Sequence, residues 1–257
     1  MKLAAQPIAP GSSLQRSLRK YVFWLTVLPV LASSFAQAQQ LSLDITLADN
    51  GVTIGQWHPL LIDTGNGSYK VNDVTYNPSG VSVFCHDMTM SIDPFISASV
   101  DVVNNTLAVQ NYTLTFTLPI SPAITGGTRI GGSMQGGLTD ANGDGIGTLS
   151  TTGGAPLYYG QIDGVNRLPL FSSPFSISVP YMFGSTNVSG GAGLPGPTIV
   201  GPPNATNSIG IQHQFSLTPG DRATFTSVFD VVAAVPEPGS LSLLALGGLT
   251  LLFRRRR

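Results

Sequence analysis

One cluster of oxygen-bearing side chains has a spacing that suits a hard metal ion. Asp140, Asn142 and Asp144 occupy alternate positions, and Gly145 follows them. Carboxylate and amide oxygens at this spacing can surround a small cation such as calcium, and the glycine permits the sharp turn. The twelfth position of a complete loop of this kind is a bidentate glutamate, but here it is Thr151. Two interpretations follow, a calcium site at these three residues or a simple turn that uses the left-handed tolerance of Asp, Asn and Gly.

The three histidines and the one cysteine do not form a recognisable catalytic pattern. His58, His86 and His213 are far apart in sequence, and a zinc site would require the fold to bring them together. His213 lies on the apolar face of a predicted strand, which favours a hydrogen-bonded histidine in the core. Cys85 alternates with valines, so we expect it to be a small buried hydrophobic residue rather than a reactive thiol.

Carboxylates are the other candidates for acid and base chemistry. The chain has a single glutamate, Glu237, so residues 41–235 offer twelve aspartates and no glutamate. A glycosidase needs two carboxylates at one of two set separations. Nothing in the sequence selects such a pair, and there is no G-x-S-x-G motif for a serine nucleophile.

The N-terminal segment has the pattern of a secretory signal peptide. Three basic residues lie within 16–20, and an apolar run follows over 21–32. Ala36 and Ala38 then occupy the two small-residue positions that a signal peptidase reads. This pattern predicts a signal peptide over 1–38 and a mature chain from Gln39. A retained membrane anchor is the weaker alternative, because the apolar run is shorter than the ~20 residues that a spanning helix needs.

The C-terminal segment contains a second signal. Pro236, Glu237 and Pro238 precede an apolar run over 241–253, which would form a short hydrophobic helix. The chain then ends in four arginines, Arg254, Arg255, Arg256 and Arg257. Basic residues stay on the cytoplasmic side of a membrane, so both termini are expected inside during export, with the body outside.

In this order, the Pro-Glu-Pro sequence, the apolar helix and the terminal arginines resemble a PEP-CTERM sorting domain. The resemblance covers about residues 235–257. It implies export and recognition in the inner membrane by an exosortase, a cysteine-dependent, transpeptidase-like membrane enzyme that reads Pro236, Glu237 and Pro238. It also implies a bacterium that builds exopolysaccharide or biofilm. An ordinary tail anchor after a proline-rich linker is the alternative, although such anchors are normally longer.

The charge of the body limits its partners. Residues 41–235 contain four basic and twelve acidic residues, a net charge of −8 that the whole-chain value of −1 conceals. A body of this charge repels phosphate groups, which argues against nucleic-acid binding.

The body between the two signals, residues 39–234, has the pattern of an all-β domain. Apolar residues alternate with polar ones in five clear segments. These segments are 41–47, 112–118, 175–183, 209–217 and 224–232, and weaker strands are predicted at 51–57, 68–76, 81–90, 96–103 and 157–163. Short strands at regular intervals predict an antiparallel two-sheet β-sandwich. The turn Thr218-Pro-Gly-Asp221 predicts a hairpin of the last two strands, and the glycine-rich segments 126–137 and 184–201 predict long loops.

Two functions remain open. The first is a non-catalytic β-sandwich module that is exported, processed by an exosortase and associated with the envelope or an exopolysaccharide matrix. The alternative is a secreted, polysaccharide-active hydrolase that uses aspartate carboxylates. Exposed aromatic residues on one sheet face would favour carbohydrate binding, whereas paired aspartates in a cleft would favour hydrolysis.

Overall fold

The computed structural model describes residues 42–234, which consist of strands and their connections with no helix in that range. The predicted signal peptide, sorting helix and terminal arginines lie outside the described residues. Seventeen strands are described: β1 (Asp44–Asp49), β2 (Val52–Trp57), β3 (Leu61–Gly65), β4 (Ser68–Val71), β5 (Val74–Tyr76), β6 (Val81–Ser91), β7 (Phe95–Asn104), β8 (Gln110–Pro119), β9 (Thr128–Thr139), β10 (Gly147–Ser150), β11 (Tyr158–Ile162), β12 (Val165–Leu170), β13 (Ser176–Val179), β14 (Ser185–Ala192), β15 (Ile199–Val200), β16 (Ser208–Leu217) and β17 (Arg222–Ala233). Between residues 42 and 234 there is no helix long and apolar enough to cross a membrane.

The strands form two antiparallel sheets. The first sheet has the order β12-β11-β16-β8-β1-β2, and β10 joins it beside β16 and β13. The second has the order β14-β9-β17-β7-β6-β4-β3, with β15 on β9 and β5 on β6. The prediction of an all-β fold with two antiparallel sheets is confirmed.

The alternation of apolar and polar residues in these segments favours strands that bury one face in a common core. In β7 and β8, every second side chain is buried and its neighbours are partly exposed. A strand places successive side chains on opposite faces, so this alternation buries one apolar face of each sheet. Tyr158 on the first sheet donates its hydroxyl to the Val228 carbonyl of the second at 2.8 Å, which joins the two sheets across the core.

The two glycine-rich segments are strands, so the prediction of long loops there was wrong. Residues of 126–137 contribute most of β9, which lies between β14 and β17 inside the second sheet, and residues of 184–201 contribute β14 and β15. Glycine removes the alternating side chains that mark a strand in sequence, but it allows close packing. A Cβ atom at Gly132 of β9 would lie 2.7 Å from the Tyr158 hydroxyl, so this position requires glycine.

The predicted hairpin of the last two strands was also wrong. β16 lies in the first sheet and β17 in the second, so residues 218–221 cross from one sheet to the other. β17 pairs with β7 and β9 instead. Residues 218–221 do form a turn, with Gly220 at a φ of 73°, but a local sequence does not distinguish a hairpin turn from a turn between sheets.

Candidate functional site

The predicted calcium loop lies between β9 and β10 and is organised around Asp140. This side chain is fully buried. Its Oδ1 atom accepts the Gly143 N–H at 2.9 Å, and its Oδ2 atom accepts the N–H groups of Gly145 at 2.8 Å and Phe183 at 3.1 Å. Burial alone would raise the pKa of Asp140, but these backbone hydrogen bonds favour the carboxylate and lower the pKa below its ordinary value. Asp140 is therefore an ionised group that fixes the backbone of the loop.

Asn142 and Asp144 are exposed on the same loop and contact each other. The Asn142 amide donates to Asp144 Oδ2 at 3.0 Å and to the Pro219 carbonyl at 3.0 Å. Asn142 Oδ1 accepts the Asp144 N–H at 2.9 Å, and Asp144 Oδ1 accepts the Ile146 N–H at 2.8 Å. The three predicted residues thus share one loop, and each of them also supports its turns.

Asp221 is a further carboxylate at this end of the fold, and the sequence did not single it out. It ends the connection between β16 and β17 and is fully buried. Its Oδ2 atom accepts the Thr218 hydroxyl, whereas Oδ1 has no hydrogen-bond partner within residues 42–234. Burial raises the pKa of Asp221, and the nearby charges of Asp140 and Asp144 raise it further. The hydroxyl of Thr218 and the backbone N–H of Ala141 act in the opposite direction.

The described carboxylates do not form a ready-made metal centre. Among residues 42–234, no three His, Cys, Asp or Glu side chains are grouped so that they could hold a metal ion. Asn142 has an amide side chain and lies outside these four residue types, and Asp144 Oδ2 already accepts a hydrogen bond from the Asn142 amide. The loop as described is consistent with the turn interpretation, and calcium binding remains a prediction.

Exposed apolar side chains lie beside the acidic loop. Tyr181, Met182 and Phe183 are 57%, 70% and 72% exposed, and Ile146 is 67% exposed. The Phe183 ring covers Gly143 so closely that a Cβ atom there would collide with it. The sequence predicted Tyr181 and Phe183 on the apolar face of a strand, but β13 ends at Val179 because Pro180 follows and the Phe183 N–H is held by Asp140. Within residues 42–234, the exposed aromatic rings are therefore found in this connection rather than on a sheet face.

His213 is a core residue, as predicted. It is fully buried on β16, and its Nε2 atom lies 3.1 Å from the Ser227 hydroxyl of β17. Burial lowers the pKa of His213 to about 3, although the Leu157 backbone acts in the opposite direction. The neutral imidazole therefore connects the two sheets.

The other two histidines and Cys85 lie elsewhere. His58 Nδ1 is 2.6 Å from Asp44 Oδ1 at an exposed position, and His86 lies 3.8 Å from the carboxylates of both Asp73 and Asp101. Cys85 is fully buried, and burial raises the pKa of its thiol to about 12. The structure does not bring these histidines together with His213.

One further pair of aspartates was not identified from the sequence. Asp230 on β17 is partly buried, and its pKa is raised by burial and by the charge of Asp93. Asp93 is exposed and lines a groove with Ile92, Pro94 and residues of the β8–β9 connection. No local sequence signal marks this pair, because the two residues lie on segments that meet only in the folded sheet.

The fold and these sites define an all-β protein of two antiparallel sheets with an acidic end and buried, structurally engaged polar groups. Comparison with protein families adds a more specific identification. The PEP-CTERM protein-sorting motif matches residues 234–257, so the chain carries this motif at its C-terminus, as its sequence predicted. The motif implies an exported protein that is processed by exosortase, a membrane enzyme, and held transiently at the membrane before release. No curated protein matches the chain.

The residues predicted to carry sorting and cleavage lie outside the described range. Pro236, Glu237 and Pro238 fall within the matched motif, as do the four terminal arginines. Ala36 and Ala38 precede the described residues. Their roles in processing stay predictions.

Proposed function

We propose that this chain is a non-catalytic β-sandwich module that an exosortase delivers to the cell surface or to an exopolysaccharide matrix. The observation that carries the proposal is the sorting motif at residues 234–257, which begins directly after β17 ends at Ala233. The body would be exported through a signal peptide cleaved after Ala38. The exosortase would read Pro236, Glu237 and Pro238 and remove the hydrophobic segment with Arg254–Arg257.

The state of the polar groups supports a structural rather than a catalytic role. The carboxylates of Asp140 and Asp163 accept hydrogen bonds from backbone N–H groups. His213 of the first sheet contacts the Ser227 hydroxyl of the second sheet in the core. Each of these groups is engaged in holding the fold. Polar side chains used in this way stabilise connections that would otherwise leave buried backbone groups unpaired.

The proposed association with a polysaccharide rests on the exposed aromatic residues. Tyr181 and Phe183 present rings to solvent at one end of the body. Aromatic rings with an apolar face favour burial against another surface, and the apolar faces of sugar rings are suitable partners. The acidic charge of the body makes a neutral glycan a better partner than a polyanion.

The test of sorting uses the intact mass of the protein in the host. We expect extracellular material with an N-terminus near Gln39 and without residues 254–257. The variant Glu237→Ala should remain cell-associated with its C-terminus intact, whereas Ser242→Ala in the apolar run should be processed like the wild type. Full-length chain outside the cell, or equal processing of both variants, contradicts the proposed route.

The test of matrix association uses the same cells. A Tyr181→Ala, Phe183→Ala variant should be exported normally but retained less on the host polysaccharide. Leu107→Ala is the matched control, because Leu107 is an exposed apolar residue elsewhere on the body. Equal retention of all three proteins would contradict a role for the aromatic rings without affecting the sorting proposal.

A hydrolase is the second candidate, and Asp93 and Asp230 are the residues that favour it. A carboxyl group with a raised pKa beside an exposed carboxylate is the arrangement that glycosidases use for acid and nucleophile or base. Incubating the purified protein with the host polysaccharide should release reducing ends if this candidate is correct. Loss of that release in Asp230→Asn and in Asp93→Asn, but not in Asp73→Asn, would assign the activity to the pair.

A further inference from the structure

The acidic loop lacks one oxygen ligand in its own sequence. Asp140, Asn142 and Asp144 supply the first half of a calcium-loop pattern, but the twelfth position is Thr151. A carboxylate from another part of the chain can fill the coordination shell only if the fold places it beside the loop.

We propose that Asp221 supplies this missing ligand. The side chains of Asp140, Asn142, Asp144 and Asp221 are not grouped as a metal centre in the described arrangement, and they would bind calcium after Asp144 turns away from the Asn142 amide. The site joins two connections that are distant in sequence. Residues 140–146 lead from the second sheet to the first, and residues 218–221 lead from the first sheet back to the second.

The two connections are already packed together. The Asn142 amide donates to the Pro219 carbonyl at 3.0 Å. Gly220 has a φ of +73° and lies against Asn142, where a Cβ atom would be 2.7 Å from the amide nitrogen. Glycine at position 220 therefore permits both the left-handed turn and the close approach of the Asn142 side chain.

The unpaired oxygen of Asp221 points to a ligand. A buried acceptor without a partner costs about 1–3 kcal/mol, more if it is charged, so proteins normally satisfy such groups. Asp221 Oδ1 is buried and has no hydrogen-bond partner of normal geometry among the described residues, although the Ala141 N–H lies near the carboxylate. The neighbouring carboxylates of Asp140 and Asp144 act on it with like charge, which a bound cation would neutralise.

The loop oxygens keep capacity for a cation. Each carboxylate oxygen has two lone-pair positions, and Asp140 Oδ1 accepts one N–H group. Binding would replace the contact between the Asn142 amide and Asp144 Oδ2 and turn that oxygen to the ion. Oxygen-only ligands and an exposed side that admits water suit calcium, which takes six to eight oxygens, better than zinc, which prefers nitrogen and sulfur.

The test is calcium binding by the purified full chain, measured by titration calorimetry after treatment with a chelator. We expect a Kd in the range of about 10⁻⁴ to 10⁻³ M, as in other extracellular calcium modules. Asp221→Asn and Asp144→Asn should each weaken binding by about tenfold or more. Asp73→Asn removes the same charge at a side chain that is 74% exposed, and it should bind as the wild type does.

Hydrogen exchange provides a measurement that does not depend on the folding of Asp221→Asn. Calcium should slow amide exchange of the wild type in both segments, 140–146 and 218–222. Protection of 140–146 alone would exclude Asp221 as a ligand. Absence of binding, or an equal loss of affinity in Asp221→Asn and Asp73→Asn, would overturn the proposal and assign any effect of calcium to general screening of the acidic body.

Discussion

The imidazole of His213 stacks on the ring of Phe225 across the core, with 4.6 Å between the ring centroids and 11° between the planes. His213 belongs to β16 of the first sheet and Phe225 to β17 of the second. Together with the contact to Ser227, this stack fixes the imidazole in a dry environment, which explains its neutral state.

His213 should make the protein less stable at mildly acidic pH. The unfolded histidine takes up a proton below its ordinary pKa near 6.5, but the folded one does so only below about 3. The folded state therefore loses stability as the pH falls from 6.5 towards 3, by up to about 2 kcal/mol at pH 5. Urea denaturation at several pH values should show this slope, and His213→Gln should flatten it. An unchanged slope in the variant would contradict the assignment.

The thiol of Cys85 should be unreactive in the folded protein. It is fully buried, and its pKa of about 12 leaves very little thiolate at neutral pH. Iodoacetamide should label it slowly in native buffer and rapidly in concentrated urea, as measured by mass spectrometry. Similar rates in both conditions would show that the core around β6 opens readily.

Gly160→Ala should destabilise the fold because the added methyl group would collide with a side chain of the opposite sheet. Gly160 on β11 faces the ring of Phe229 on β17, and a Cβ atom would collide with that ring. Overpacking of this kind typically costs about 1–3 kcal/mol. Denaturation should show this loss, and adding Phe229→Leu should recover part of it. Additive effects of the two substitutions would indicate that the residues do not press on each other.

Asp163→Asn should weaken the connection before β16. The Asp163 carboxylate accepts the N–H groups of Thr206, Asn207 and Ser208. Burial alone would raise its pKa, but these bonds lower it, so their stabilisation is present above the ordinary pKa and is lost as the pH falls through the lower folded value. We expect a loss of about 1 kcal/mol at pH 7, allowing for solvent exposure. This difference from the wild type should shrink in strong acid.

Asp87→Asn is the matched control for that substitution. Asp87 is also an aspartate with positive φ, at 41° against 52° for Asp163, and its side chain is exposed. Asp87→Asn should change the free energy of unfolding little, both at pH 7 and in strong acid. A similar loss in both variants would point to the backbone conformation or to the general charge rather than to the hydrogen bonds of Asp163.

The sequence predicted the strands in which apolar and polar side chains alternate. It did not predict strands in which glycine removes that alternation. β8 and β16 follow the predicted segments closely because every second residue is apolar. β9 was missed because Gly131, Gly132, Gly136 and Gly137 leave few side chains to show a period. Glycine is usually typical of loops, but in β9 it makes room for neighbours that are distant in sequence. Gly132 faces Tyr158 of the other sheet, and Gly137 lies against Thr224 of the adjacent strand β17.

The acidic end was predictable only in part, for a different reason. Asp140, Asn142 and Asp144 are close in sequence, so their spacing identified the loop. Asp221 lies in a connection that the sequence assigned to a hairpin, and its position beside the loop depends on β16 and β17 belonging to different sheets. Long-range placement of this kind leaves no local pattern.

The position of β17 determines how the body would carry a mechanical load. Its ladder with β9 extends from Arg222 to Ala233, and its ladder with β7 covers Arg222 to Asp230, so it is held along both edges. The sorting motif begins at the next residue, 234. While the C-terminal segment holds the chain at the membrane, tension applied along the strand would act on both ladders in shear, with many hydrogen bonds resisting at once. An edge strand such as β3 could instead be pulled away by breaking one hydrogen-bonded pair at a time. The C-terminal segment therefore joins the body at a strand that is well placed to resist pulling.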